Sequence, residues 1–300
     1  MSKILITGAS GFIGQHLFRR LKKEGFSVFG ISRTGGYIDD QKIFSLDLQN
    51  KEEVNNFLKN KKIDCIIHLA ALVPQSFNDQ TAYESLYENF VSTFNLLEVL
   101  KQDQIKKFVF ASSMSVIGQP PKKSLDENIP VEPTNFYSLS KYFGEKMSQL
   151  FGLKFKKKVI ILRISAPYGQ GQKEGSVIPL FINQALKSEN LIVLGQGKRL
   201  QDFIYISDIV EAFVCAIKYP ACGIYNLASG QSTNTYKLAK IILKLIPESH
   251  SKIILKGIDT QEKYQLRVNI SKAKKDLKYI PKVLIKDGIG NYINYLKRQK

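Results

Sequence analysis

The sequence is poor in the residues that cross-link chains or hold metals. It has three cysteines and three histidines in 300 residues. Cys65, Cys215 and Cys222 form an odd, scattered set. That pattern argues against a disulfide framework or a zinc site, and for a reducing compartment. His16, His68 and His250 are as scattered, so no metal centre is expected. No apolar run approaches the ~18 residues that a membrane span needs. The chain opens Met-Ser-Lys and passes straight into an apolar stretch, so no signal peptide is expected and the setting reads as cytoplasmic. Acidic residues are also scarce: 26 against 44 Lys and Arg leave a formal net charge of +18. No aromatic-rich recognition motif accompanies the lysines. The excess therefore reads as a solvated coat, with neither nucleic acid nor membrane as a partner, whose field would draw in an anionic small substrate.

What is present is concentrated at the start. Lys3-Ile4-Leu5-Ile6 has the composition of a buried parallel strand. It runs into Thr7-Gly8-Ala9-Ser10-Gly11-Phe12-Ile13-Gly14, with glycines three apart. Gly8 permits a tight turn, Gly11 lets backbone approach a phosphate, and Gly14 lets a helix pack closely on the strand. Ile13, Leu17 and Leu21 then recur at helical spacing until Gly25. The amides at that helix start, Phe12 and Ile13 among them, suit a pyrophosphate.

A second strand, Val28 to Ile31, ends in Ser32-Arg33-Thr34, with no carboxylate before Asp39. An acidic residue here would bond a ribose 2′-hydroxyl, whereas Arg33 forks onto a 2′-phosphate, so the cofactor expected is NADP ahead of NAD. The pattern continues with strand Ile43–Leu48, helix Glu52–Lys59, strand Cys65–Leu69, helix Thr81–Leu100 and strand Phe108–Ala111. Small residues, Ala70 and Ala71, end the Cys65–Leu69 strand, leaving bare backbone for a flat cofactor. Strands alternating with helices predict an α/β doubly wound parallel sheet, with ligands at the carboxyl ends of the strands. Gly8, Ala70 and Ser112-Ser113 should then face one crevice.

Past Pro130 and Pro133 lies Tyr137-Ser138-Leu139-Ser140-Lys141. Tyr and Lys at i and i+4 share one helix face. A tyrosine titrates near ~10; a neighbouring ammonium favours the phenolate and would lower that value. Such a phenol could exchange a proton with a substrate oxygen while hydride moves. The spacing recurs at Tyr142–Lys146 and Tyr236–Lys240, but only Tyr137 follows the serine strand by one loop.

With these residues, the chain resembles the extended short-chain dehydrogenase/reductase family of nucleotide-sugar epimerases, dehydratases and reductases. The resemblance implies a Rossmann sheet with a smaller C-terminal substrate domain: residues 1–164 for the dinucleotide, with returns near 204–229, and 165–300 mainly for substrate. It implies Ser113, Tyr137 and Lys141 as the catalytic set. Gly8 to Gly14 resembles the cofactor loop, Asp47-Leu48 the adenine-binding pair, and His68-Leu69-Ala70-Ala71 the strand end under the nicotinamide ribose. Asn89 with Ser92-Thr93 resembles a further cofactor element, as does the strand end at Ala111. Ser115 matches a polar substrate neighbour.

Leu162 to Gly169 resembles the family's Leu-Arg-x-x-Asn-x-Tyr-Gly, with Ala166 where Asn usually meets the nucleotide sugar. Ser176-Val177 resembles the helix start that cradles the diphosphate. Gln201 replaces an Arg that usually pairs with phosphate, while Arg199 lies two residues before it. The usual Arg-x-Gly-Asp before Asn269 is absent, Arg267 being the nearest cation. Ser113-Met114-Ser115 lacks the Asp-Glu pair of the dehydratases. The leading expectation is therefore NADP-dependent reduction of a 4-keto-6-deoxy nucleotide sugar for polysaccharide synthesis. A 4-epimerase with tightly bound NAD(P) and a non-catalytic NAD(P)-binding scaffold are the alternatives. The family's habit of pairing two long helices implies a homodimer.

Overall fold

A computed structural model of the chain describes residues 2–59, 61–74, 80–120, 124–172 and 175–299. In chain order the first half runs β1 (Lys3–Thr7), α1 (Phe12–Lys23), β2 (Ser27–Ser32), β3 (Gly36–Ile38), β4 (Gln41–Ser45), α2 (Lys51–Lys59), β5 (Cys65–His68), α3 (Gln80–Glu98), β6 (Lys107–Ser113), α4 (Phe136–Lys154) and β7 (Lys158–Ile164). The second half runs β8 (Ala166–Tyr168), α5 (Val177–Leu186), β9 (Leu191–Leu194), β10 (Leu200–Tyr205), α6 (Ile206–Lys218), β11 (Gly223–Leu227), β12 (Ser232–Asn234), α7 (Thr235–Leu245), β13 (Ile253–Lys256), α8 (Ser271–Asp276) and α9 (Ile285–Arg298).

Eight strands form one sheet in the order β11-β7-β6-β5-β1-β2-β4-β3. All its pairs are parallel except β3 with β4. Order reverses at β1, which pairs with β2 on one side and β5 on the other. A crevice must open there, at the carboxyl ends of those strands.

Alternation along the central strands feeds two cores. Ile4 and Ile6 of β1 join Leu17, Phe18 and Phe213 on the α1–α6 face. Leu5 joins Leu96, Leu97 and Phe110 on the α3–α4 face. All three β1 residues are fully buried, as an inner parallel strand requires. Chain from the second half returns here, with α6 packing on α1 and β11 extending the sheet beside β7. A three-stranded sheet, β12-β10-β8, and a two-stranded parallel one, β13-β9, stand apart from the large sheet.

Two elements differ from the sequence reading. The strand expected over Ile43–Leu48 ends at Ser45. The Leu46 amide still bonds the Ser32 carbonyl of β2, and the chain then turns at Leu48-Gln49, where the Asn50 amide donates to the Asp47 carbonyl. A short hairpin strand, β3, fills the interval after Arg33, where only a loop is legible.

Candidate active site

The crevice at the β1–β5 switch holds a cavity of about 300 Å³. Eleven residues singled out from sequence line it: Gly8, Ser10, Gly11, Ser32, Arg33, Asp47, Leu48, Ala70, Ala71, Asn89 and Ser92. Gly8 has φ +66°, and a Cβ there would sit 2.8 Å from the Ala70 nitrogen. A Cβ on Gly14 would sit 2.1 Å from the Gly8 carbonyl oxygen. Both positions therefore exclude side chains, which is how the turn and α1 approach so closely. Gly11 begins α1 without a side-chain cap, leaving the helix-start amides for an anion. Phe12, Ile13, Gly14 and Leu69 are outside the cavity lining; Phe12, Ile13 and Leu69 pack against the core beneath it. Asp47 accepts from the Gln49 amide at 2.9 Å, and Asn95 fixes the Leu48 carbonyl at 3.0 Å.

Beneath the cavity runs a buried chain of hydrogen bonds. The Ala70 amide donates to Thr7 Oγ1 at 3.1 Å, Thr7 Oγ1 meets His68 Nδ1 at 2.7 Å, and His68 Nε2 meets Thr93 Oγ1 at 3.1 Å. Thr93 spends its proton on the Asn89 carbonyl, at 2.6 Å. A neutral imidazole has one donor, so Nε2–H must donate to Thr93 and Nδ1 must accept from Thr7. Burial, with repulsion from Lys141, pushes His68 down to about 3 and keeps it neutral. Asn89 closes the rim, bonding Leu72 through both its amide and carbonyl and reaching Ser140 on α4.

Arg33 is not free to read a phosphate. It forms an ion pair with Glu88 of α3, and Glu88 lines the same cavity. No sequence signal joins two residues 55 apart.

The serine strand and α4 meet alongside. Lys141 is buried and donates to the Ala111 carbonyl at 2.9 Å, while its Nζ stands 5.8 Å from the Tyr137 ring centre. Asn135 caps α4 through the Ser138 amide, which fixes where Tyr137 enters the helix. Ser113 Oγ accepts from the Ser115 amide at 3.1 Å, and Ser115 Oγ is buried with no partner among the described residues. The expected direction for the phenol is reversed. Burial pushes Tyr137 up to about 12 and Lys141 down to about 8. Desolvation is the cause of both shifts: the low-dielectric site penalises the phenolate and the ammonium alike. Below the pair, Glu145 takes bonds from Ser112 at 2.6 Å and from Arg163 at 2.9 and 2.8 Å, tying α4 to β6 and β7. Glu145 is one turn beyond Lys141, a spacing that could have flagged it.

A second cavity, of about 700 Å³, lies between β8, α5, β9 and β10. Ala166, Val177, Arg199 and Gln201 line it; Ser113, Ser115 and Arg267 are not in its lining. Arg267 lies on the exposed side of the bridge between Leu125 and Val268. Arg199 Nε donates to Asp259 at 2.9 Å, and its Nη2 makes a second bond to the same carboxylate. Burial raises the Asp259 carboxyl, but Arg199 and the Gln261 amide hold it below the usual carboxylate range. These two are the cation and the anion of the cavity wall among the described residues, and Asp259 is invisible to motif reading.

A glycine turn at a sheet switch point, with a Tyr–Lys helix beside it, defines a dinucleotide-dependent enzyme of the short-chain dehydrogenase/reductase type. Comparison with known proteins makes this specific. Residues 4–228 match the model of the NAD dependent epimerase/dehydratase family. The chain belongs to that family, within the extended short-chain dehydrogenases/reductases. It is 32% identical to a putative UDP-glucose 4-epimerase of Methanocaldococcus jannaschii, over 98% of each chain. It is 27% identical to the dTDP-D-glucose 4,6-dehydratase of Homo sapiens, over 98% of this chain and 90% of that one. Among solved structures, UDP-glucuronic acid 4-epimerase from Bacillus cereus, in complex with UDP-glucuronic acid and NAD, superposes with a TM-score of 0.89. That match is 27% identical and covers 99% of this chain and 100% of the other. The UDP-glucose 4-epimerase of Thermotoga maritima, at 23% identity and a TM-score of 0.91, shares the fold over 99% of both chains.

Proposed function

We propose that the protein is a nucleotide-sugar 4-epimerase that works with NAD. The Tyr137–Lys141 pair beside the dinucleotide cavity carries the reading, and the full-length epimerase relative supports the choice of C4. Gly8, Ser10, Gly11 and the start of α1 would hold the pyrophosphate, and Ala70, Ala71 and Asn89 the ribose beyond it. When bound, the nicotinamide supplies a hydride acceptor and donor. Tyr137 takes the proton of the sugar 4-hydroxyl and later returns it, with Ser113 bonding the same oxygen. Lys141, held on the Ala111 carbonyl, presents a positive charge that stabilises the phenolate once formed. Arg199 and Gln201 would meet the diphosphate in the second cavity.

Glu88 supports NAD over the NADP expected from sequence. It supplies, from α3, the carboxylate that β2 lacks: able to accept a 2′-hydroxyl and opposed to a 2′-phosphate. Replacement Glu88→Gln is expected to tighten NADP binding at least tenfold relative to NAD, measured by calorimetry; an unchanged ratio removes Glu88 from the argument.

The deciding experiment incubates the purified protein with a panel of UDP- and dTDP-sugars and follows products by NMR. Epimer without net change in nicotinamide absorbance is the expected result. Stoichiometric NADPH consumption with a 4-keto-6-deoxy sugar would establish the reductase instead, the reading that Arg33 favours if Glu88 releases it. Failure to turn over any sugar, with cofactor bound, would leave a scaffold.

We also propose a homodimer through the outer faces of α3 and α4. Tyr87 and Leu150 are 66% and 63% exposed, and Phe90 and Phe143 stack edge to face beside them. Leu150→Asp should give a monomer by light scattering. A reducing, cytoplasmic setting fits the three free cysteines, and no described helix is long and apolar enough to cross a membrane.

A further inference from the structure

One surface is left unused by this chemistry. Residues 278–284 form a strap, neither helix nor strand, between α8 and α9. Its inner side is anchored. Tyr279 is fully buried and its hydroxyl donates to the Ala228 carbonyl at 3.2 Å. The Lys282 and Val283 amides donate to the two oxygens of Asp208 at 3.1 and 3.0 Å. Alternate residues face out: Lys278, Ile280, Lys282 and Leu284, with Lys286 continuing the series on the first turn of α9. Ile280 is 60% exposed and Leu284 53%. Lys274 and Lys275 are exposed on the adjoining helix. Among the described residues none of these five lysines has an ion-pair partner. From Lys263 onward eleven residues are basic and two, Asp276 and Asp287, are acidic.

We propose that this strap docks the protein onto an anionic lipid bilayer. Lysines alone would suit any polyanion. Two aliphatic side chains set between them gain nothing from a nucleic-acid backbone, but they can enter the boundary between headgroups and acyl chains. Each lysine near an anionic leaflet is worth about fivefold in partitioning. Ile280 and Leu284 add a component that salt does not screen. Because Asp208 already pins the strap, little ordering is required on contact.

The test sediments the full chain with vesicles of phosphatidylcholine, with and without phosphatidylglycerol. Binding to the anionic vesicles only, weakened by salt, is expected. Replacing Lys278, Lys282 and Lys286 together by Ala should lower partitioning about a hundredfold. Ile280→Ser with Leu284→Ser should also lower it, and make the remainder fully removable by salt. Both variants should keep the melting temperature and turnover of the parent. Absence of pelleting with either vesicle, or pelleting indifferent to both variants, overturns the proposal. So does binding of single-stranded RNA, without vesicle binding, that the lysine variant loses and the aliphatic variant keeps, which would make the strap a nucleic-acid surface.

Discussion

At the scale of single residues, Tyr137 and Lys141 are buried where desolvation penalises their charged forms. With the site as it stands, Lys141 is lowered to about 8 from 10.5 and Tyr137 is raised to about 12 from 10. Between about 8 and 10.5 the unfolded chain binds more protons at Lys141 than the folded one, so stability rises with pH there; between about 10 and 12 Tyr137 makes it fall. Lys141→Met should therefore raise the melting temperature at neutral pH while abolishing turnover, and its advantage should shrink as pH passes 8. Tyr137→Phe should cut turnover by about 10²–10⁴-fold with NAD binding intact by calorimetry. A melting temperature for Lys141→Met below that of the parent would show that the ammonium stabilises the fold. The pair itself is legible in sequence because position, following the serine strand, singles it out. Glu88 and Asp259 are not legible, since each meets its arginine across 55 or 60 residues of intervening chain.

At the scale of elements, the site depends on how closely α4 lies on β6. A Cβ on Gly144 would stand 2.3 Å from the ring of Phe110, so the glycine lets the helix seat directly on that ring. Gly144→Ala should destabilise by about 1–3 kcal/mol and lower turnover, because α4 carries both Tyr137 and Lys141. Adding Phe110→Leu should restore part of each, measured by denaturant melts and initial rates; no recovery would mean the collision is not with this ring. Element order was readable from strand–helix alternation and the glycine turn. The β3 hairpin was not, because Gly36-Tyr37-Ile38 is too short for periodicity to register. The register of β10, which sets Arg199 and Gln201 on one cavity wall, depends on pairing with β8 and β12 and has no local signature.

At the scale of the whole molecule, a formal charge of +18 surrounds a second cavity whose own wall balances Arg199 against Asp259. Long-range attraction of an anionic substrate should then come from the surface more than from the pocket. The ratio kcat/KM is expected to fall steadily with added salt while kcat stays level; equal loss in both would place the effect inside the site. Sequence discloses the total charge but not its arrangement, and a lysine coat and a lysine strap have the same composition.

The neutral histidine beneath the first cavity, His68, has a consequence for pH dependence. Its ring carries one proton, on Nε2, and a value pushed down to about 3 lies far below neutral pH. Mild acidification therefore leaves this ring neutral. Were turnover found to slow on mild acidification, a group other than His68 would have to be the cause.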